Sequence, residues 1–229
     1  MHVRLATRGS ALALWQANHV ADLIRSTSPG VEVSLVKIST RPDRQPETPL
    51  DQLGGDKGLF VKEVEDAILN GDADAAIHSL KDVPAELPET LALMAFPERA
   101  DARDVLVTPN GQQLTELPNG AVVATSSLRR RGQLLRLRSD LQMVEIRGNV
   151  DTRLRKLQSG EYNAIVLAAA GLGRLNLLDQ NAQFLDPDLM IPAAGQGILA
   201  IESFKSSKFD ALWKRLDDSQ VRTLSLIHI

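Results

Sequence analysis

The same strand–helix rhythm runs through this chain twice. In the first half, VRLAT (3–7) reads as a short buried strand and SALALWQANHVADLIR (10–25) as a helix. That helix sets Ala13, Ala17, Val20 and Ile24 on one face and has Ser10 as its N-cap. VEVSLVKI (31–38) alternates as a strand should, and residues 39–58, with their prolines and glycines, read as a mobile loop. FVKEVEDAILNG (60–71) is a helix with Phe60, Val64, Ala67 and Ile68 on one face and Gly71 past its end, and ADAAIHS (73–79) is a strand. The second half repeats the order: strand AVVAT (121–125), helix 126–138, strand LQMVEI (141–146), helix 150–160, strand NAIVLAA (163–169). Parallel strands must be covered on both faces, so the economical reading is α/β, with two lobes of βαβαβ type. The first lobe is expected over 1–96 plus 196–218 and the second over 97–195. Turn-rich residues 97–120 would carry the crossing, GQGILAIES (195–203) would return a strand to the first lobe, and FDALWKRLDD (209–218) would be a late helix. Residues 219–229 read as a truncated or aberrant tail.

Positive charge is concentrated. Eight arginines fall between Arg129 and Arg155 in a chain whose net charge is -3. A guanidinium matches a carboxylate or phosphate in two-point contact and stays charged at any working pH. Cations at the start of a helix oppose its dipole, so Arg129, Arg130 and Arg131 favour an anion site over a solvated face. Helical neighbours diverge by about 100°, so one of the three is expected to be structural. Aromatic residues make up 3% of the chain, which argues against base-stacking platforms, and no apolar run is long enough to span a membrane. The N-terminal sequence has no secretion signal, and a cytoplasmic protein is expected. There is no cysteine, which removes disulfides, thiolate metal sites and thiol nucleophiles from these residues.

In open α/β sheets ligands gather beyond the carboxyl ends of the strands. Thr7 to Ser10, His78 to Asp82, Thr125 to Ser127 and Arg147 to Asn149 all fall there and would converge on a cleft between the lobes. Ser10, Ser126 and Ser127 read equally as N-caps, a role compatible with binding because capped helix starts offer N–H groups to anions. Asp82 in HSLKDVP is either a turn residue or an isolated carboxylate able to stabilise a cation and relay protons. His78 fits packing or hydrogen bonding better than chemistry. Lys57 and Lys62 flank GLF in a glycine-rich segment that suits either a closing loop or a plain solvated one.

Taken together, ATRGSALALWQA (6–17), GLFVKEVEDAIL (58–69), DAAIHSLKDVP (74–84), ATSSLRRR (124–131), RGNVDTRL (147–154), LAAAGLGRL (167–175) and IPAAGQGILAIE (191–202) resemble the porphobilinogen deaminase family. The resemblance implies two lobes like those of type II periplasmic binding proteins. It also implies head-to-tail condensation of four porphobilinogen molecules to hydroxymethylbilane, with release of ammonia. Each pyrrole bears an acetate and a propionate, which accounts for the arginines. By motif, Asp82 would be catalytic. Lys81, Thr125, Ser126, Ser127, Arg129, Arg130, Arg147, Gly148, Asn149 and Arg153 would bind the cofactor, and Arg8, Ser10, Lys57, Arg174 and Gln196 the substrate. The implied cofactor is dipyrromethane, joined by a thioether to a cysteine of a third, α+β domain. The implied partner is the small-molecule substrate alone, with no nucleic acid, membrane or metal, and the implied state is a monomer.

The chain departs from that pattern. It has no cysteine and no segment resembling the third domain. GGDKGLF is one residue longer than the usual loop, and RPDRQPETP (41–49) is richer in proline. It is therefore expected to bind polyanionic pyrroles weakly and to turn over poorly or not at all. Two other classes compete: a non-catalytic two-lobed anion-binding module, and nucleic-acid binding through the arginine block. The first leaves HSLKDVP, SSLRRR and RGNVDTR unexplained together; overall acidity argues against the second.

Overall fold

The computed structural model describes residues 1–40, 61–179 and 182–226. The chain forms two compact units, Met1–Ala100 with Ile198–Ile229, and Asp101–Gly197.

In the first unit, β1 (His2–Arg8) pairs in parallel with β2 (Glu32–Ile38) on one side and β3 (Ala75–Ser79) on the other. Two later strands complete the sheet. β10 (Leu199–Phe204) lies antiparallel to both β3 and β4 (Leu91–Ala95), giving the order β2-β1-β3-β10-β4. α1 (Ala11–Thr27) starts where the Ser10 hydroxyl accepts a hydrogen bond from the Ala13 amide at 3.3 Å, and it buries Ala17, Val20 and Ile24. α2 (Lys62–Leu69) buries Val64, Ala67 and Ile68, as its spacing requires. Alternation along the strands divides the core by face. Leu5, Ala75, Ile77, Leu199 and Ile201 turn to one cluster; Ala6 and Ala76 turn to the other, with Val64 and Ile68. α6 (Asp210–Leu216) brings the fully buried Trp213 into the first cluster. α7 (Ser219–Leu226) buries Val221 beside Phe96 and Ile198.

The second unit repeats the plan. β6 (Val122–Ala124) pairs in parallel with β7 (Gln142–Val144) and β8 (Ala164–Ala168), and the sheet order is β7-β6-β8-β5-β9. The crossovers are α3 (Leu128–Leu137) and α4 (Val150–Gln158), and α5 (Ala169–Arg174) follows β8. β5 (Asp104–Val107) runs antiparallel to β8 and to β9 (Ala182–Phe184). Leu106, Val123 and Val166 face one core, while Val105, Val107, Ile165 and Leu167 face the other. Burying each such side chain contributes roughly 1.5–3 kcal/mol.

The structure corrects two expectations and adds a detail. Residues 97–120 are more than a turn-rich crossing, because they contain β5, all four of whose residues are buried. To the parallel strands of its βαβαβ unit each sheet adds an antiparallel one, β10 or β5. The returning strand starts at Leu199 rather than at 195: Gly195 and Gly197 have φ of 69° and 85°, which breaks extension, and the Gln196 amide closes a turn on the Ala193 carbonyl at 3.0 Å.

Candidate functional site

In the first unit the carboxyl ends of the neighbouring strands β1 and β3 carry Arg8, Ser10, Lys81 and Asp82. Arg8 closes β1, half-buried, and Ser10 is occupied in capping α1. β3 runs directly into a 3-10 turn, Leu80–Asp82, held by the Leu80 amide on the Ile198 carbonyl at 3.0 Å and the Val83 amide on the Leu80 carbonyl at 3.1 Å. Gln16 of α1 donates to the Ser79 hydroxyl at 2.9 Å and ties the helix to this end of β3. Lys81 is half-buried; Asp82 is exposed and, among the described residues, has no ion-pair partner. An exposed carboxylate on a turn fixed by backbone bonds is accessible to a ligand. Lys57 lies outside the described residues, as does the loop expected around it; Lys62 opens α2 and is exposed.

Below this turn, in the sheet, lies a buried acid cluster that the sequence did not reveal. His78 Nε2 and Glu202 Oε2 share a hydrogen bond of 2.9 Å across the β3–β10 pairing, and both side chains are buried. His78 is thus a packed, hydrogen-bonded group. Glu65 of α2 is also buried. Its burial, then the Glu202 carboxylate, push its carboxyl up to about 7 against a smaller opposing effect of His78.

In the second unit, the β6 and β7 ends meet. The Thr125 amide donates to the Val144 carbonyl at 2.9 Å, and the Ser126 hydroxyl donates to the Ile146 carbonyl. Thr125 is buried, and its hydroxyl accepts from the Ser127 amide at 3.2 Å. Ser127 caps α3 by accepting from the Arg130 amide at 3.4 Å. Arg147 is half-buried and pairs with Glu145 at 2.8 Å. Gly148 has φ of 106°, and a Cβ there would fall 2.7 Å from Thr152 Cγ2. Its carbonyl accepts from Arg153 Nε at 2.8 Å, and exposed Asn149 stands at the N-cap of α4. Hence Thr125, Ser126, Ser127, Arg147, Gly148, Asn149 and Arg153 form one neighbourhood.

A second group gathers on Asp104, which the sequence did not single out. Asp104 is completely buried at the start of β5, opposite Ala168 at the end of β8. Arg130 reaches its Oδ1 through Nε at 3.0 Å and Nη2 at 2.7 Å, and donates from Nη1 to the Val166 carbonyl at 2.9 Å. Arg129 reaches Oδ2 through Nη2 at 2.7 Å and the Ile191 carbonyl through Nη1. Buried Gln196 donates to Oδ1 at 2.9 Å and to the Ala102 carbonyl at 2.6 Å. Burial alone would raise the Asp104 carboxyl; the Arg130 charge, then hydrogen bonds from Arg130, Gln196 and Arg129, hold it below the ordinary carboxylate range. Arg130 is therefore an internal partner, Arg129 is part-exposed, and Arg131 is exposed. Arg174 donates to the Gly197 carbonyl at 2.8 Å, and burial lowers its guanidinium to about 10, still charged at neutral pH.

Among the described residues no group of His, Asp and Glu is placed to hold a metal, and no helix is long and apolar enough to cross a membrane.

Solved structures share the fold at low identity. The methionine-binding protein MetQ superposes with a TM-score of 0.56 at 13% identity, covering 99% of this chain and 94% of that one. The periplasmic VFT2 domain of Bordetella pertussis BvgS superposes at 0.54 and 12% identity, covering 100% and 93%. These place the chain in the type II periplasmic-binding-protein class of fold. Sequence relatives are nearer. The porphobilinogen deaminase of Maridesulfovibrio salexigens is 53% identical over 200 residues, 87% of this chain, and that of Geotalea uraniireducens 50% over 221 residues, 96% of this chain. The chain spans 65% of the length of each of those relatives. Residues 3–209 match the family model described as porphobilinogen deaminase, dipyromethane cofactor binding domain. The chain belongs to the porphobilinogen deaminase family.

Proposed function

We propose that this chain is the part of a hydroxymethylbilane synthase that binds acidic pyrroles and carries out their condensation. The observation that supports the reading most is the placement of exposed Asp82 on a fixed turn at the end of β3, beside Lys81 and next to the strand that ends in Arg8. Porphobilinogen carries an acetate, a propionate and an aminomethyl group. Arg8, Lys81 and Arg147 are donors for such carboxylates, and the Ser127 hydroxyl, which accepts from the Arg130 amide, adds a short polar donor. Loss of ammonia from the aminomethyl carbon leaves an azafulvene-like cation. The Asp82 carboxylate would stabilise that cation through the pyrrole N–H and accept the proton released when the next ring bonds to the methylene carbon.

Dipyrromethane, when bound, supplies the primer onto which rings are added. Two pyrrole rings with acetate and propionate arms match a donor set of arginines and hydroxyls, so the residues of the second unit fit its carboxylates: Thr125, Ser126, Ser127, Arg129, Arg147 and Arg153 would hold them. The thioether is a different matter, because none of the 229 residues is a cysteine. No residue of this sequence supplies the cysteine sulfur of such a thioether.

Incubation of the folded chain with porphobilinogen tests the reading, with binding followed by calorimetry and ammonia release followed directly. Binding that weakens as salt rises is expected, with slow turnover. Asp82→Asn is expected to lower the residual rate about hundredfold while leaving affinity within about threefold. A folded chain that neither binds porphobilinogen nor releases ammonia from it overturns the proposal, and an Asn variant with the parent's rate removes Asp82 from the chemistry.

A further inference from the structure

The arginine pair at the head of α3 is organised by one carboxylate. Asp104 is wholly buried, yet it accepts hydrogen bonds from Arg129, Arg130 and Gln196 at 2.7–3.0 Å. Two guanidiniums against one carboxylate leave a net positive charge. Arg130 is buried and directs all three of its nitrogens to Asp104 and to the Val166 carbonyl. Arg129 lies at the surface side of the group with its side chain 26% exposed. Its contacts to Asp104 and to the Ile191 carbonyl leave guanidinium hydrogens over.

We infer that Asp104 is a positioning residue: through its second oxygen it fixes the Arg129 guanidinium so that the remaining donors face an incoming carboxylate, while Arg130 and Gln196 hold the acid itself in place. The inference rests on the acidic-pyrrole reading above for the identity of the ligand, but not for the orientation of Arg129. A free arginine must give up rotamer freedom each time it captures an anion; one already anchored has given it up on folding.

Removing the Asp104 charge alone strands buried Arg130, and such a variant is at risk of not folding. The measurements therefore also use an Arg130→Met background, in which Asp104 keeps Arg129 and Gln196. The first is phenylglyoxal labelling mapped by mass spectrometry, which needs no ligand. The reagent must bond to guanidinium nitrogens, and those of Arg129 that Asp104 and the Ile191 carbonyl already hold are less available to it. Adding Asp104→Asn should make Arg129 label several-fold faster, with exposed Arg131 unchanged as the internal reference. Equal rates at Arg129 overturn the inference.

The second is a double-mutant cycle on porphobilinogen affinity. Asp104→Asn should weaken binding about tenfold when Arg129 is present and leave it unchanged in an Arg129→Gln background. A loss of the same size in both backgrounds means that Asp104 serves the fold and not Arg129, and it sinks the proposal. If the parent binds no porphobilinogen, the ligand reading fails, and labelling alone decides the role of Asp104.

Discussion

A buried carboxyl near a second buried carboxyl is costly, and Glu65 lies near Glu202. Its Oε1 and that of Glu202 have no hydrogen-bond partner among the described residues. With its folded value raised to about 7 from 4.5, Glu65 binds its proton more tightly in the native state. The stabilisation is fully present below the unfolded value and is lost as pH rises through 7. Glu65→Gln should therefore stabilise the chain relative to the parent between about pH 5 and pH 8, by on the order of 2 kcal/mol at the upper end. Denaturant melts across that range check it, and parallel pH profiles for the two proteins would rule it out. Residues of this kind divide sharply by legibility. Asp82 and the arginines were readable as candidates, because a strand followed by a polar turn marks a carboxyl end whatever packs around it. Asp104, Glu65 and Glu202 were not, because what defines them is burial against side chains distant in sequence.

Among the elements, the turn from β7 into α4 is the most exacting. Gly148 combines a positive φ with a neighbour that leaves no space for a Cβ. Gly148→Ala should cost about 1–3 kcal/mol and displace Arg147 and Asn149 on either side, lowering both the melting temperature and affinity for acidic pyrroles. A variant with the parent's melting temperature would show that the Thr152 side chain moves aside at little cost. The helices were legible for a physical reason: α1 and α3 begin at capping serines, Ser10 and Ser127, and α2, which has no side-chain cap, still carries its apolar spacing within itself. β5 was illegible because DVLV is four residues long and opens with a charged side chain; its strand character comes from β8 and β9, and its acid is neutralised by α3.

At the scale of the whole molecule, the two units differ in continuity. Asp101–Gly197 contains every strand of its sheet and both of its cores, whereas the first unit takes β10 and α6 from beyond residue 197. β10 lies between β3 and β4, and its Leu199 and Ile201 sit in the main core with Trp213. A fragment of residues 101–197 should fold with a cooperative unfolding transition, while one of residues 1–100 should not, having lost an interior strand. Circular dichroism during denaturation of each fragment decides this; a cooperative transition in 1–100 would show that β10 is dispensable. By itself the sequence determined the repeated strand–helix order, the helix caps, the arginine-rich turns and the family motifs, since these depend on local spacing and side-chain chemistry. The tertiary structure alone decided that both sheets admit an antiparallel strand, that Arg130 faces inward, and that one buried aspartate gathers two arginines and a glutamine. Those outcomes depend on which distant groups compete to satisfy a charge or a backbone edge once water is excluded.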